Sequence, residues 1–359
     1  MTKNTPHFWL TLVLTLFPLS SPASEEAERE QARFYVTPED RREGGVGFQL
    51  TDWLQVSGLL EFEQVYRRDD RVGNAGFAES RETVSTLQLG ATLTPVRGVK
   101  AELVLEYDDE ERDTLRYDEA IVAIEAGDFE LAAGMLYAPF GVYFSHFFTD
   151  PALQFGETRD TGVTLSYAPD HGLDVSLFAI RGRARNRSAD RQPWDWGVSF
   201  EISPSRYGLF GAGYLSDLAD SDARFLEDAD DRYRRRVAAW NAYAILGTGA
   251  FEFAAELVQA LDSYRELETD RDKPSAWNLE LAWFPEGNIE WALRLEESSE
   301  LADAPRRRAG VAIAWRATRN VSLTLEYLRG VYKKGLAEDD NGNALRADHS
   351  VGIQLGVLF

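Results

Sequence analysis

Glu61, Glu63, Glu102, Glu106, Glu201, Glu252, Glu256, Glu280, Glu290 and Glu326 recur, with the base Arg294, at alternate positions in segments whose intervening residues are largely apolar. A period of two puts such residues on one face of a β-strand. Gathered around water, rings of carboxylates attract cations, so a passage lined by them is expected to favour cations over anions. The plainer reading is that any wet interior must be polar, and that many of these groups pair with bases such as Lys100, Arg294 and Arg316.

A second constellation lies in "YAPFGVYFSHFFTDP", residues 137–151, which is aromatic without a clean period. Ser145 and His146 have the types of a nucleophile and its base. Adjacent residues of an extended segment point apart, however, and no third member is placed to orient the imidazole, so no enzyme is expected. His7, His171 and His349 are scattered, and neither a metal centre nor a cofactor is implied. The acidic stretches 108–113 and 217–231 read as solvated loops, and "EDDNGN" (338–343) lacks the glycine spacing and terminal glutamate of a calcium loop.

The elements that must position these residues alternate in a regular way. In "LQVSGLLEFE" Leu54, Val56, Leu60 and Phe62 share one face, in "WNLELAW" Trp277, Leu279, Leu281 and Trp283 do, and "VGIQLGVLF" carries the pattern to Phe359. Short turn-forming links at 94–98, 127–128, 169–172, 203–206, 247–249, 285–288 and 317–320 alternate with long polar ones around 68–81, 108–116, 137–160, 183–192, 217–235, 262–274, 298–306 and 330–346. Seven short and eight long connections imply an all-β fold of about sixteen antiparallel strands with both ends on the short-turn side, a transmembrane β-barrel over residues 52–359. A soluble sandwich also alternates. It does not place aromatics near strand ends as an interfacial girdle, as Tyr107, Phe129, Tyr167, Trp194, Trp277, Trp283 and Tyr327 are placed here.

Composition agrees. The chain has 359 residues, no cysteine and a net charge of −22, which argues against nucleic acid as a partner because phosphates would be repelled. Residues 1–23 read as an export signal: Lys3 and His7, an apolar run from Phe8 to Leu19, then Ser21 and Ala23 at the positions a signal peptidase reads. Residues 24–51 read as a short charged periplasmic arm, and 46–50 either extend the first strand downward or form a small hairpin. The expected location is the outer membrane of a Gram-negative cell. The expected partners are outer-membrane lipid and lipopolysaccharide; Arg234–Arg236 and Arg306–Arg308 either contact lipopolysaccharide phosphates or neutralise the adjacent acidic loops. A homo-oligomer is compatible with the pattern, although no strand is visibly less lipophilic than the rest.

With apolar faces outward and a periplasmic N-terminus, residues 137–160 form the third external loop. An aromatic loop left in water would be an exposed apolar patch of a kind that surfaces avoid. It is expected to fold inward, with Tyr137, Phe140, Tyr143, Phe144, Phe147 and Phe148 on one wall and His146, Asp150, Glu157, Arg159 and Asp160 facing the passage. Packing at the rim or against a neighbouring subunit is the alternative.

"TDWLQVSGLLEFE" (51–63) opening a barrel, followed by "GMLYAPFGVYFSHFFTDPALQFGETRDTGVTLSY" (134–167), resembles the LbtU family of siderophore porins. The resemblance implies passage of a ferric siderophore through a single barrel without a plug domain. Phe359 at the end of the last alternating strand is similar to the terminal signal of proteins inserted by the barrel-assembly machinery.

Overall fold

Alternating residues become strands wherever one face is apolar and the other polar, and the computed structural model follows that pattern around a complete ring. It describes residues 47–73, 76–108, 114–169, 172–182, 184–186, 194–205, 208–221, 232–233, 235–268, 271–285, 288–339 and 341–359. The expected export signal (1–23) and most of the expected arm lie outside the described residues.

The strands are β1 (Phe48–Thr51), β2 (Leu54–Arg71), β3 (Phe77–Val96), β4 (Val99–Asp108), β5 (Thr114–Ala126), β6 (Phe129–Tyr137), β7 (Arg159–Tyr167), β8 (Leu173–Arg181), β9 (Arg185–Asn186) and β10 (Trp194–Ser205). They continue as β11 (Gly208–Leu215), β12 (Arg232–Tyr233), β13 (Ala239–Thr248), β14 (Phe251–Ala260), β15 (Ser275–Trp283), β16 (Ile289–Ser299), β17 (Arg307–Arg316), β18 (Val321–Val331) and β19 (Leu345–Leu358). Setting aside β1 and the short parallel pair β9 and β12, sixteen strands pair antiparallel with their sequence neighbours, and β19 returns to β2. Closure leaves no barrel edge unpaired.

The outer surface is the apolar face. Leu279, Leu281, Leu293, Leu295, Leu325, Ile353 and Leu355 are all exposed, whereas the alternate residues Glu280, Arg294 and Glu326 are buried inside. Near the short turns Phe251 pairs with Trp283, and Trp283 with Trp291, which makes an outward aromatic row at that end. This inversion of the usual inside and outside suits lipid around the barrel and water within it. No helix among the described residues is long and apolar enough to cross a membrane.

Two details differ from, or decide between, the sequence expectations. The expected first loop, 68–81, is mostly strand, since β2 and β3 pair as far as Asp70 with Phe77. Its residues are polar, so the alternation that marks the other strands is missing there, and Arg68 stands opposite Glu79 in the register. Of the two readings for 46–50, the hairpin is the one found: β1 folds back so that Phe48 faces Val56.

Phe359 seals the seam. Its main chain exchanges hydrogen bonds with Gly58 (Gly58 N to Phe359 O 2.7 Å, Phe359 N to Gly58 O 2.9 Å), and its ring lies where a side chain at Gly58 would be. A Cβ on Gly58 would come within 2.3 Å of that ring. Gly58→Leu is therefore expected to cost about 1–3 kcal/mol through overpacking and to lower the folded fraction seen by heat-dependent gel mobility after refolding in detergent.

Candidate functional site

An apolar loop has two ways out of water, the rim or the interior, and residues 138–158 take the interior. They leave β6, run along the inner wall formed by β11 to β19, and return to β7 through a short 3-10 turn, Ala152–Gly156. Phe140 and Phe155 are fully buried and join Leu153, Leu215, Val258 and Ala276 in one apolar cluster. Phe147 packs among Ala282, Ala292, Ala312 and Leu328, and Phe144 between Ile245 and Ala254. The wall is dented to receive two of these rings: a Cβ on Gly352 would stand 2.4 Å from the ring of Phe148, and one on Gly310 would stand 3.0 Å from that of Phe147.

Burying a loop strips its amides of water, and every such donor needs an acceptor. Here the acceptors are strand carboxylates. Glu256 of β14 takes the N–H groups of Val142 (3.0 Å) and Tyr143 (2.8 Å). Glu280 of β15 takes the hydroxyl of Ser145 (2.9 Å) and the N–H of His146 (2.7 Å). Glu326 of β18 takes the N–H groups of Phe148 (3.2 Å) and Thr149 (3.3 Å) and also the Thr149 hydroxyl, while Glu296 of β16 takes the N–H of Ala152 (2.7 Å). Arg294 completes the cradle: its Nε donates to Glu280 at 2.8 Å and its Nη1 to the carbonyl of Thr149 at 2.6 Å, with a further bond to Ser145 Oγ. Its guanidinium also lies 4.3 Å over the ring of Phe147.

The clamp holds a strained turn. Gly141 has φ +91° and Tyr143 has φ +48°, and a bulky residue in the left-handed region costs about 1–3 kcal/mol. Two bonds to a single carboxylate, each charge-assisted, offset that cost.

The structure places the remaining expected loop residues differently from one another. His146 does not face the passage but is turned against the wall, with Nδ1 2.6 Å from Glu290 and Nε2 3.1 Å from Glu252. Burial alone would push the imidazole down, yet Glu252 and Glu290 push it up to about 10. Glu157 is buried beside Gln154, whose Nε2 donates to it at 3.3 Å. Tyr137 donates to Asp118 of β5 at 2.9 Å, and Arg159 bridges the same carboxylate and Tyr137, which fixes both roots of the loop. Asp150 follows Thr149 in the loop, and burial, followed by the charge of Glu63 of β2, pushes its carboxyl well above the usual carboxylate range.

Glu252, Glu256, Glu280, Glu290, Arg294 and Glu326 thus face inward as their period requires, but they are engaged with the loop. On the wall that the loop leaves bare, Glu61 and Glu63 receive bonds from Gln354 (3.3 and 2.8 Å), Glu102 meets Lys100 (2.6 Å), Glu106 meets Gln88 (2.6 Å) and Arg116 (2.5 Å), and Glu201 meets Tyr243 (2.8 Å). On this side the carboxylates Glu61, Glu63, Glu102, Glu106 and Glu201 outnumber the bases Lys100 and Arg116 that stand among them.

The alternation also splits the tripeptide Arg306–Arg308. Arg307 lies outside beside Glu297 (3.2 Å), but Arg308 turns inward to Glu296 at 3.0 Å and reaches the Asp150 carbonyl at 3.4 Å. Arg236 pairs with Asp195 (3.0 Å), one of three clustered aspartates with Asp217 and Asp220, and Arg235 pairs with Asp262, while Arg234 lies outside the described residues. In the last external loop Asp339 accepts the N–H groups of Asn341 and Asn343 and the Nε of Arg71; against the effect of burial, these bonds push it down to about 2. Its ligands are amides and an arginine of its own chain.

Two outcomes follow from the clamp. Glu280→Ala leaves Arg294 buried without its partner, at a cost of about 3–5 kcal/mol, and is expected to lower the urea midpoint and expose the loop to proteases. Because the folded pKa of His146 is raised, its contribution to stability is full below its ordinary value near 6.5 and is lost as pH rises toward 10. The gap in urea midpoint between the native chain and His146→Gln is therefore expected to be wide at pH 6 and to close by pH 10; a gap that is the same at both values would contradict a charged imidazole.

No protein-family model matches the chain. A "UPF0422 protein" of Coxiella burnetii is 32% identical over 257 residues, which are 66% of this chain and 54% of that protein, so the chain spans about half the length of the curated relative it matches. Among solved structures, an anion-selective porin from Comamonas acidovorans superposes with a TM-score of 0.63 at 11% identity, over 85% of this chain and 99% of that one. The outer membrane channel DcaP of Acinetobacter baumannii gives 0.61 at 14% identity over 88% and 100%, and Pseudomonas putida OprB gives 0.62 at 10% identity over 87% and 95%. At such identities it is the fold that is shared: a closed antiparallel barrel of sixteen strands, of the kind that outer-membrane porins have.

Proposed function

We propose that the chain is a passive outer-membrane channel whose third external loop narrows an acidic, cation-preferring passage, and that its solute is a ferric siderophore. The observation that carries the channel reading is the seating of residues 138–158 inside a closed barrel with an apolar outer wall, the arrangement of a bore narrowed by a loop of the barrel itself. The cation preference rests on the excess of inward carboxylates over bases on the wall away from the loop, Glu61, Glu63, Glu102, Glu106 and Glu201 against Lys100 and Arg116, while Arg294 and Arg308 are held in bonds to Glu280, Glu296 and the loop. The siderophore reading rests on the two sequence blocks that resemble the LbtU family. Charge adds a condition to it: an acidic passage repels polyanions, so the chelate that fits is neutral or positive. Nothing is done chemically to the solute. In this reading the chain is exported by its N-terminal signal and inserted by the barrel-assembly machinery through Phe359.

The test is single-channel current in a planar bilayer under a salt gradient, followed by addition of ferric chelates with their iron-free forms as controls. A reversal potential on the cation side and concentration-dependent block by a neutral or cationic ferric chelate are expected. Anion preference would overturn the charge reading, and an open current indifferent to every chelate would leave a general diffusion porin. Absence of current in any condition would leave a closed barrel. Deleting residues 140–150 is expected to raise the conductance severalfold; unchanged conductance would mean that the loop does not limit the passage.

A further inference from the structure

The outer wall carries a feature that transport of a solute does not use. On three adjacent strands the outward apolar run is interrupted at one and the same paired row by a basic residue. On β18 the outward run Leu323, Leu325, Tyr327 is broken by Arg329, with Val331 beyond it; on β19 the run Leu355, Ile353, Val351 ends at His349; on β2 the outward residues Leu60, Phe62, Gln64 and Tyr66 lead up to Arg68. The register pairs Arg329 with His349 and His349 with Arg68, so the three stand side by side at the spacing of neighbouring strands, about 5 Å each. The next row down is Tyr327, Val351 and Tyr66.

Arg307 of β17 and Arg346, at the irregularity near the start of β19, flank the row on its external side. The acids nearby are few. Glu297 meets Arg307 at 3.2 Å and Arg306 at 3.9 Å, Asp70 meets Arg68 and Arg346 at 3.4 Å each, and Glu79 opposite Arg68 is hydrogen-bonded to Tyr66. Arg329 has no ion-pair partner among the described residues. Arg68 is held in place over the ring of Phe77, 4.1 Å from its centroid, and the hydroxyl of Tyr327 lies 2.8 Å from Nδ1 of His349, which leaves Nε2 as the outward nitrogen. In a chain of net charge −22, a basic row at the upper border of an apolar wall is the opposite of what composition alone would scatter there.

We infer that this row is a binding site for the phosphate groups of an outer-leaflet glycolipid of the lipopolysaccharide type. Acyl chains lie along Leu325, Val351 and Ile353, and the phosphates sit on Arg329, Arg68 and Arg307, with His349 as a further donor. Arginine suits this position because its planar fork binds phosphate oxygens in pairs, and an aromatic row beneath marks the level at which lipid chains give way to headgroups. The inference rests on the outer-membrane reading above, but it concerns the outside of the wall and has its own readout.

The full chain, folded in detergent, is incubated with lipopolysaccharide, with the same lipopolysaccharide after hydrolysis of its lipid phosphates, and with phosphatidylglycerol; the lipid retained through gel filtration is quantified by mass spectrometry. The native chain is expected to retain lipopolysaccharide. The triple variant Arg68→Gln, Arg307→Gln, Arg329→Gln is expected to bind it at least about tenfold more weakly, and the dephosphorylated lipid is expected to bind as weakly to the native chain. Arg181→Gln, an exposed arginine on β8, serves as the matched control and is expected to bind as the native chain does. Equal retention by the triple variant, or of the dephosphorylated lipid, overturns the site. Retention of phosphatidylglycerol equal to that of lipopolysaccharide shows a general anionic-lipid surface and overturns the assignment to a glycolipid. Heat-dependent gel mobility of the triple variant confirms folding, and its conductance is expected to match the native value. A conducting chain without lipid retention defeats this inference alone, whereas a chain without conductance defeats the channel reading whether or not lipid is retained.

Discussion

A peptide segment inside a barrel must have its amides satisfied, and the carboxylates of β14, β15, β16 and β18 meet that demand. Glu256, Glu280, Glu296 and Glu326 accept main-chain N–H groups from Val142, Tyr143, His146, Phe148, Thr149 and Ala152. The aromatic rings supply the burial, but rings alone would leave those donors stranded in a place that water reaches poorly. The strained backbone at Tyr143, the imidazolium of His146 and the buried Arg294 all depend on the same acidic wall.

That dependence changes what the charge of the chain means. Summed over the sequence, acids far outnumber bases, and the simplest inference is a lumen that presents a strong negative field. Much of the negative charge on the β14–β18 wall is instead offset by donors of the loop and by Arg294, Arg308 and His146, so it acts on the protein itself. What stands outside the loop's cradle is a smaller set, with Glu61 and Glu63 of β2 among it.

The period of two made the ring legible before any coordinates. It gave the strand number, the short and long sides, the inward face of every carboxylate tested by its register, and, through the improbability of six aromatics left in water, the inward course of the third loop. What it could not give was partnership. Facing inward is a property of one residue and its neighbours in the chain, whereas the bond from Tyr143 to Glu256 or from Phe148 to Glu326 joins positions more than a hundred residues apart. For that reason the sequence points His146 and Glu157 at the passage, whereas the ring of His146 lies between Glu252 and Glu290 and Glu157 is buried beside Gln154. The split of Arg307 from Arg308 was within reach of the same alternation and was hidden only by treating the tripeptide as a unit. The extended β2–β3 hairpin was hidden for another reason, since strands beyond the lipid lose the apolar face that announces them.

The carboxylates that take the loop's amides all come after it in the chain: the segment begins at residue 138, and these acceptors run from Glu256 to Glu326, with the hollow for Phe148 at Gly352 in the final strand, while its roots are tied to the earlier Asp118. A chain cut short before β14 would carry the loop without any of those carboxylates. Because β19 also closes the ring on β2, the strands that complete the wall are the ones that complete the seat of the loop, so closure and narrowing are finished by one stretch of chain.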